Sequence, residues 1–176
     1  MPRLPAVGPF RRVLRAAVVT MAAALAAAAI AGPLAAQQAR DADDIAAHPN
    51  LFELFLGGTS TEHAIHLSVG LEFEHQLSAR WGVGGLADWV LGGEEREALV
   101  APALFAHPAA ALRLAVAPGV QRNKESHETL FVTRIGADYE VGVNDRWSIS
   151  PSVALDLVEG PTSSIFVFGA SLGYRF

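Results

Sequence analysis

The sequence predicts an all-β fold, an eight-stranded antiparallel up-and-down transmembrane β-barrel, and three observations support this prediction. In the C-terminal stretch 163–176, mostly large apolar residues occupy every second position from Phe166 to the final Phe176, and the positions between them become small or polar toward the chain end. Seven further segments of similar alternation precede it, starting at residue 50. The N-terminal residues 1–36 have the composition of an export signal. The predicted barrel domain is therefore 50–176.

The N-terminal leader predicts a cleaved signal peptide over 1–36. It has an uncharged, alanine-rich stretch at 16–31, the sequence Leu34-Ala35-Ala36 supplies small residues near a cleavage point, and its basic residues are Arg3, Arg11, Arg12 and Arg15. The alternative is a transmembrane anchor, but the apolar run is shorter than the ~20 residues that a spanning helix needs. Residues 37–49 are polar and unpatterned, and we interpret them as a periplasmic lead-in.

Eight strands are predicted, and the connections between them alternate in length. The strands lie at about 50–58, 64–77, 81–91, 97–107, 110–121, 129–143, 146–158 and 163–176. Tight turns join the second strand to the third, the fourth to the fifth and the sixth to the seventh, whereas the other four connections are longer or more polar. Short periplasmic turns and longer outer loops are typical of outer-membrane barrels.

The two faces of the predicted strands differ in chemistry. In the second strand, one parity is apolar from Ile65 to Phe73, and the other is polar from His66 to Gln76. If the apolar parity faces outward in every strand, the opposite surface collects a lumen charge network of Glu53, Glu72, Glu74, Asp88, Arg113, Arg134, Asp138, Glu140, Asp156 and Arg175. The outward aromatics near the periplasmic end then form an aromatic girdle of Phe73, Trp81, Phe105, Tyr139, Trp147, Tyr174 and Phe176.

A soluble lipocalin-like barrel would reverse these faces, with apolar side chains inside. The membrane alternative is favoured because the aromatics gather at one rim and the charged face is rich in Gly and Ser, which suit a narrow lumen. Pro102, Pro118 and Pro151 fall inside predicted strands, where each is expected to mark a bulge or a strand end. The fourth strand is apolar on both faces, so its orientation is the least determined.

Composition excludes several function classes. Four of the 13 Lys and Arg residues and none of the 18 acidic residues lie in 1–36, so the rest of the chain is strongly acidic. This argues against nucleic acid as a partner. The absence of Cys excludes disulfides and thiolate metal sites. The sequence offers no set of metal ligands with regular spacing and no phosphate-binding loop, and we expect no metal or other cofactor.

The leader, the eight strands, the order of short turns and the terminal Phe176 resemble the small outer-membrane β-barrel families, which include the OmpA transmembrane domain, OmpX-like proteins and opacity-type porins. The resemblance covers about 50–176. It implies a monomer in the bacterial outer membrane, in contact with outer-membrane lipid. It also implies that the barrel-assembly machinery recognises the last strand, with Phe176 as the assembly signal.

Three functions remain open at this point. The first is a structural or surface-interaction barrel, because eight strands enclose a lumen that side chains can fill. The second is a narrow cation-preferring channel lined by the excess carboxylates. The third is a lipid A-modifying hydrolase, because His66-Leu67-Ser68 resembles the His-x-Ser spacing of lipid A deacylases. Because that pair is predicted to face the lumen, away from lipid, we expect no enzymatic activity and assign no catalytic residue.

Overall fold

The structure is a computed structural model that describes residues 47–60, 64–92, 97–109, 111–123, 129–159 and 164–176. The predicted signal peptide, most of the predicted lead-in and parts of the predicted outer loops lie outside these residues. The strands are β1 (Asn50–Ser60), β2 (Ile65–Ser78), β3 (Trp81–Leu91), β4 (Glu97–Ala109), β5 (Leu112–Asn123), β6 (Thr129–Tyr139), β7 (Val141–Gly142), β8 (Trp147–Val158) and β9 (Ile165–Arg175). Among the described residues, no helix has the length and hydrophobicity that a membrane span requires.

The strands form one closed antiparallel sheet. Apart from β6 and β7, strands that are consecutive in sequence pair with each other, and β1 also pairs with β9. Both β6 and β7 pair with β8, so they are two parts of one barrel strand and the barrel has eight strands, as the sequence predicts. At the closing seam, the backbone N–H of Asn50 donates to the carbonyl of Phe176 at 3.1 Å, and the reciprocal bond is 3.0 Å.

The end of the barrel at which β1 begins and β9 ends has the short turns. The connections β2–β3, β4–β5 and β7–β8 lie at this end and span two to four residues, whereas the connections at the other end span four to six. Two of the turns share one local design. The side chains of Ser78 and Asn144 each accept hydrogen bonds from the two backbone N–H groups that lie two and three residues later, at 2.9–3.3 Å. These side-chain bonds stabilise a tight reversal before Trp81 and Trp147.

The two faces of the sheet are inverted relative to a soluble barrel. Large apolar side chains are exposed around the outside, for example Leu56 at 58% and Val100 at 57%. Charged side chains are buried inside, with Glu53 at 2% and Arg113 at 3%. The inner wall also has an apolar region, which includes Leu86 and most of the inward residues of β4.

The break between β6 and β7 was not predicted, and Pro151 accounts for it. Asp138 pairs with Ser152 and Val141 with Ile149, so the same register places Pro151 opposite Tyr139. Proline has no N–H to donate, and the ladder is interrupted there. The ladder between β8 and β9 continues through Pro151. At this position of β8, a backbone N–H would point toward the interrupted side and not toward β9, so the β8–β9 ladder loses no bond.

The predicted outward orientation of Phe105 is wrong. Phe105 is fully buried in the lumen, on the same face of β4 as Leu99 and His107. The periodicity of β4 could not reveal this, because both of its faces are apolar and a one-residue change in parity exchanges them. Of the predicted girdle, Phe73, Trp81, Trp147 and Phe176 are exposed, and Tyr139 and Tyr174 are half-buried, at or near strand ends on the side of the short turns. The rings of Trp147 and Tyr174 lie 4.9 Å apart, centre to centre.

Candidate functional site in the barrel lumen

The ten charged residues predicted for the lumen all lie on the inner face, where they form three ion-pair groups. The largest surrounds Arg113, which projects inward from β5. Its Nη2 lies 2.6 Å from Glu72 Oε1 and 3.2 Å from Asp138 Oδ2, and its Nη1 lies 3.3 Å from Glu74 Oε2. Nη2 also donates to Glu53 Oε2. One guanidinium therefore holds four carboxylates from three strands.

Two further residues support the group around Arg113. His107 Nε2 lies 2.7 Å from Glu74 Oε1, so this carboxylate lies between an imidazole and a guanidinium. The ring of Phe105 lies 5.1 Å from the centre of the Arg113 guanidinium, within the range of a cation–π contact. Gly82 on β3 leaves room for the Glu74 carboxylate, because a Cβ at that position would collide with it. The inward position of Phe105 thus has a role in the network.

A second group surrounds Arg134 on β6, nearer the end with the longer loops. Arg134 pairs directly with Asp156 across the β6–β8 ladder and donates two hydrogen bonds to its carboxylate, at 2.7 and 2.8 Å. Its Nη1 donates to Asp88 Oδ2 at 2.7 Å. The two-bond geometry fixes the guanidinium plane as well as its position. This group links β3, β6 and β8 across the lumen.

The third group is a single pair at the end with the short turns. Arg175 donates to the two oxygens of Glu140 at 3.3 and 2.8 Å. Both side chains are about nine-tenths buried. Glu140 occupies the break between β6 and β7, so this pair joins the interrupted strand to β9, next to the chain end.

A small cavity lies between the first two groups. Its volume is about 60 Å³, and Glu72, Asp88, Arg134 and Asp138 contribute to its lining. A water molecule needs roughly 10–15 Å³ of such space, so the cavity accommodates a few water molecules at most. The charged residues of its lining are these three carboxylates and one arginine, and most of the other lining residues are apolar.

The described residues contain no group of three or more His, Asp or Glu side chains arranged to hold a metal ion. The Ser68 hydroxyl is fully buried and forms a 2.5 Å hydrogen bond with the Thr59 hydroxyl. This bond gives Ser68 a structural partner on β1. A hydrolase would need the serine hydroxyl to be bonded to a base.

Sequence reasoning missed His107 and Ser150 as members of the network. Ser150 donates to Glu53 Oε1 at 3.3 Å, and it belongs to a row of buried serines on β8. The signal for His107 was present, since a histidine at the end of an otherwise apolar strand needs a polar partner when it is buried. No sequence pattern identified Glu74 as that partner, because the two residues lie 33 positions apart.

No known family model matches the chain, and no curated protein matches it. Several solved structures do match. The N-terminal β-barrel domain of Pseudomonas aeruginosa OprF is 14% identical with a TM-score of 0.54, over 73% of this chain and 99% of that one. The attachment invasion locus protein Ail of Yersinia pestis is 12% identical with a TM-score of 0.51, over 73% and 97% of the chains. Neisserial surface protein A is 7% identical with a TM-score of 0.52, over 72% and 96%.

These likenesses, together with ring closure and the inverted faces, define the class. The chain has the fold of the small eight-stranded bacterial outer-membrane barrels. At identities of 7–14% the likeness concerns the fold alone. The particular role of the chain has to be argued from its own residues.

Proposed function

We propose that the chain is an outer-membrane protein whose barrel lumen is blocked by its lumen charge network. The barrel serves a structural or surface-interaction role. The observation that carries this proposal is the inversion of its faces. An exterior of exposed leucine, valine and phenylalanine is costly in water and stable in hydrocarbon. The interior charges are stable only because they are paired.

The proposal extends to how the protein reaches the membrane and what it contacts there. Residues 1–36 would direct export and be removed, and the assembly machinery would recognise β9 through the terminal Phe176. The partners would be outer-membrane lipid and this machinery, with no nucleic acid, and the barrel would be a monomer. The proposed role involves no catalytic residue.

The lumen charge network supports a blocked lumen more than an open pore. The guanidinium groups of Arg113 and Arg134 join carboxylates from different strands across the lumen. An ion that passed through would have to displace these pairs, and breaking a buried pair is expensive. Eight strands also enclose a lumen that side chains are able to fill.

One observation favours a narrow cation channel as a second candidate. Carboxylates outnumber arginines seven to three in the predicted lumen set, and four of these ten residues line the cavity between the ion-pair groups. Rings of carboxylates select cations where a path is open. A channel would require the ion pairs around Arg134 to separate during conduction.

Conductance across a planar lipid bilayer tests the choice. We expect the refolded chain to give no steps above the protein-free detergent control in 1 M KCl, because the ion pairs close the lumen. The variant Arg134→Ser, which removes the guanidinium beside the cavity, is expected to give cation-selective steps, and Arg122→Ser on the outer surface is the matched control. Steady cation-selective conductance of the unaltered chain would contradict the closed lumen and support the channel.

A further inference from the structure

The hydrogen-bond ladder between β4 and β5 is interrupted halfway along the strands. Val100 pairs with Val120, and Leu104 pairs with Val116. Within the described strands, the three positions between these pairs on each strand form no ladder pairs, although both strands are continuous there. The interruption therefore lies within the barrel wall, away from both rims.

Two prolines face each other in this gap. The pairing register is the same on both sides of the gap, and continuing this register through the gap places Pro102 opposite Pro118. In an antiparallel ladder, every second pair exchanges two N–H···O bonds. Pro102 and Pro118 occupy one of these hydrogen-bonded pairs. Because neither proline has an N–H, this pair loses both of its bonds, and each adjacent pair loses one of the two bonds that define it. This accounts for a gap of three positions.

The interruption is confined to the seam between β4 and β5. On its other side, Pro102 pairs with Gly85 in a continuous β3–β4 ladder, and Pro118 pairs with Thr133 in a continuous β5–β6 ladder. Pro151 provides a comparison, since the β8–β9 ladder continues through it. On the other side of β8, the pairing with β6 and β7 is interrupted beside Pro151. Each proline therefore interrupts the ladder on one side of its strand only, and Pro102 and Pro118 interrupt the same ladder from both of its strands.

Small side chains hold the seam closed. On the inner face, Ala101, Ala103 and Ala117 are buried. Gly119 approaches so closely that a Cβ there would collide with Ala101. The strands remain in contact, but this contact involves methyl groups and backbone atoms. Such contacts are individually weak and non-directional, whereas the missing ladder bonds are the directional interactions that hold neighbouring strands together.

We propose that the gap between β4 and β5 is a lateral seam at which the barrel wall opens, a conformational device built into the fold. Both sides of the seam are apolar. Inside, it adjoins Leu99 and the other apolar residues of the inner wall. Outside, it borders a groove of about 360 Å³ whose lining includes Phe73, Gly85 and Pro102. Opening there would join the apolar region of the inner wall to the hydrocarbon-facing surface, next to Arg134, which pairs with Ala117 across the β5–β6 ladder.

Amide hydrogen exchange, followed residue by residue by NMR on the folded chain in detergent micelles, tests the seam. The N–H groups of Val100, Leu104, Val116 and Val120 point across it, and those of the odd-numbered neighbours on each strand point to β3 or β6. We expect the seam-facing amides to exchange about tenfold faster or more. Equal protection of the two sets would overturn the proposal, and no substitution is needed for this comparison.

Engineered disulfides give a second test, since the chain has no native Cys. Ala103→Cys with Ala117→Cys places a pair within the gap and retains both prolines. Leu99→Cys with Gln121→Cys places a control pair on the same seam and face, in the intact ladder. Both pairs are directly opposed, non-hydrogen-bonded pairs of an antiparallel ladder. The Cα atoms of such a pair lie about 4.5 Å apart, within the range that a disulfide can bridge.

We expect oxidation of the gap pair to slow unfolding by about tenfold or more relative to its reduced form, and oxidation of the control pair to have a smaller effect. Chain entropy alone predicts the reverse order, because the control pair closes the longer loop. A larger effect from the control pair would therefore contradict opening at the gap. This result is independent of ion conductance, so the seam and the closed lumen can fail separately.

Discussion

Replacing Arg113 with methionine is expected to lower the free energy of unfolding by about 3–5 kcal/mol. The guanidinium contacts Glu53, Glu72, Glu74 and Asp138, and all of these side chains lie within the lumen. Without it, four carboxylates would repel one another in a site that excludes most water. Methionine retains much of the side-chain volume of arginine, so the decrease in the free energy of unfolding is attributable to the lost charge.

Urea titration in detergent micelles, followed by tryptophan fluorescence, measures this effect. Arg122→Met is the matched control, because Arg122 is exposed on the outer surface. The further substitutions Glu72→Gln and Asp138→Asn in the Arg113→Met background are expected to recover part of the loss, since they remove two of the stranded charges. If Arg113→Met were as well tolerated as Arg122→Met, the network would have no role in holding the barrel together.

Replacing Leu71 with arginine is expected to destabilise the bilayer-inserted barrel by about 2–4 kcal/mol, because an arginine at the membrane midplane is costly. Leu71 is exposed near the middle of β2. Leu77 is exposed on the same face of the same strand, close to the rim, and Leu77→Arg is expected to cost about 0–1 kcal/mol. The two variants introduce the same side chain and differ in depth.

Reversible unfolding from phospholipid vesicles measures both variants. The informative quantity is the difference between the two changes in the free energy of unfolding, because the effect of arginine on strand propensity is similar at both positions. In a barrel whose outer face met water, both substitutions would be neutral or favourable. Equal and small effects would therefore contradict the assignment of the apolar face to lipid.

Strand periodicity was sufficient to predict the fold. The alternation in 163–176 and in the second strand is strong, because each residue faces one of two very different environments. Proline effects were only partly predictable. Pro102, Pro118 and Pro151 were recognised as irregular, but which ladder each one interrupts depends on the register. The opposition of Pro102 and Pro118 became visible only in the folded sheet.

The lumen was predictable as a set of residues and not as an arrangement. Parity places Arg113 and Glu74 on one surface, but strand position and side-chain rotamer decide that they meet. The incorrect orientation of Phe105 has a related cause. Alternation carries no information where both faces are apolar, and the inward direction of β4 is fixed by the contact between His107 and Glu74 across the lumen.

A barrel with paired charges inside and apolar side chains outside is expected to be stable in a membrane-like environment. The most direct test is the gel mobility of the detergent-folded chain, loaded with and without boiling, with circular dichroism measured on the same sample. We expect strand-rich dichroism and a clear change of mobility on boiling, as the closed barrel resists the gel detergent until it is heated. Identical mobility in both lanes, together with solubility of the folded chain in the absence of detergent, would contradict the account and indicate a soluble barrel.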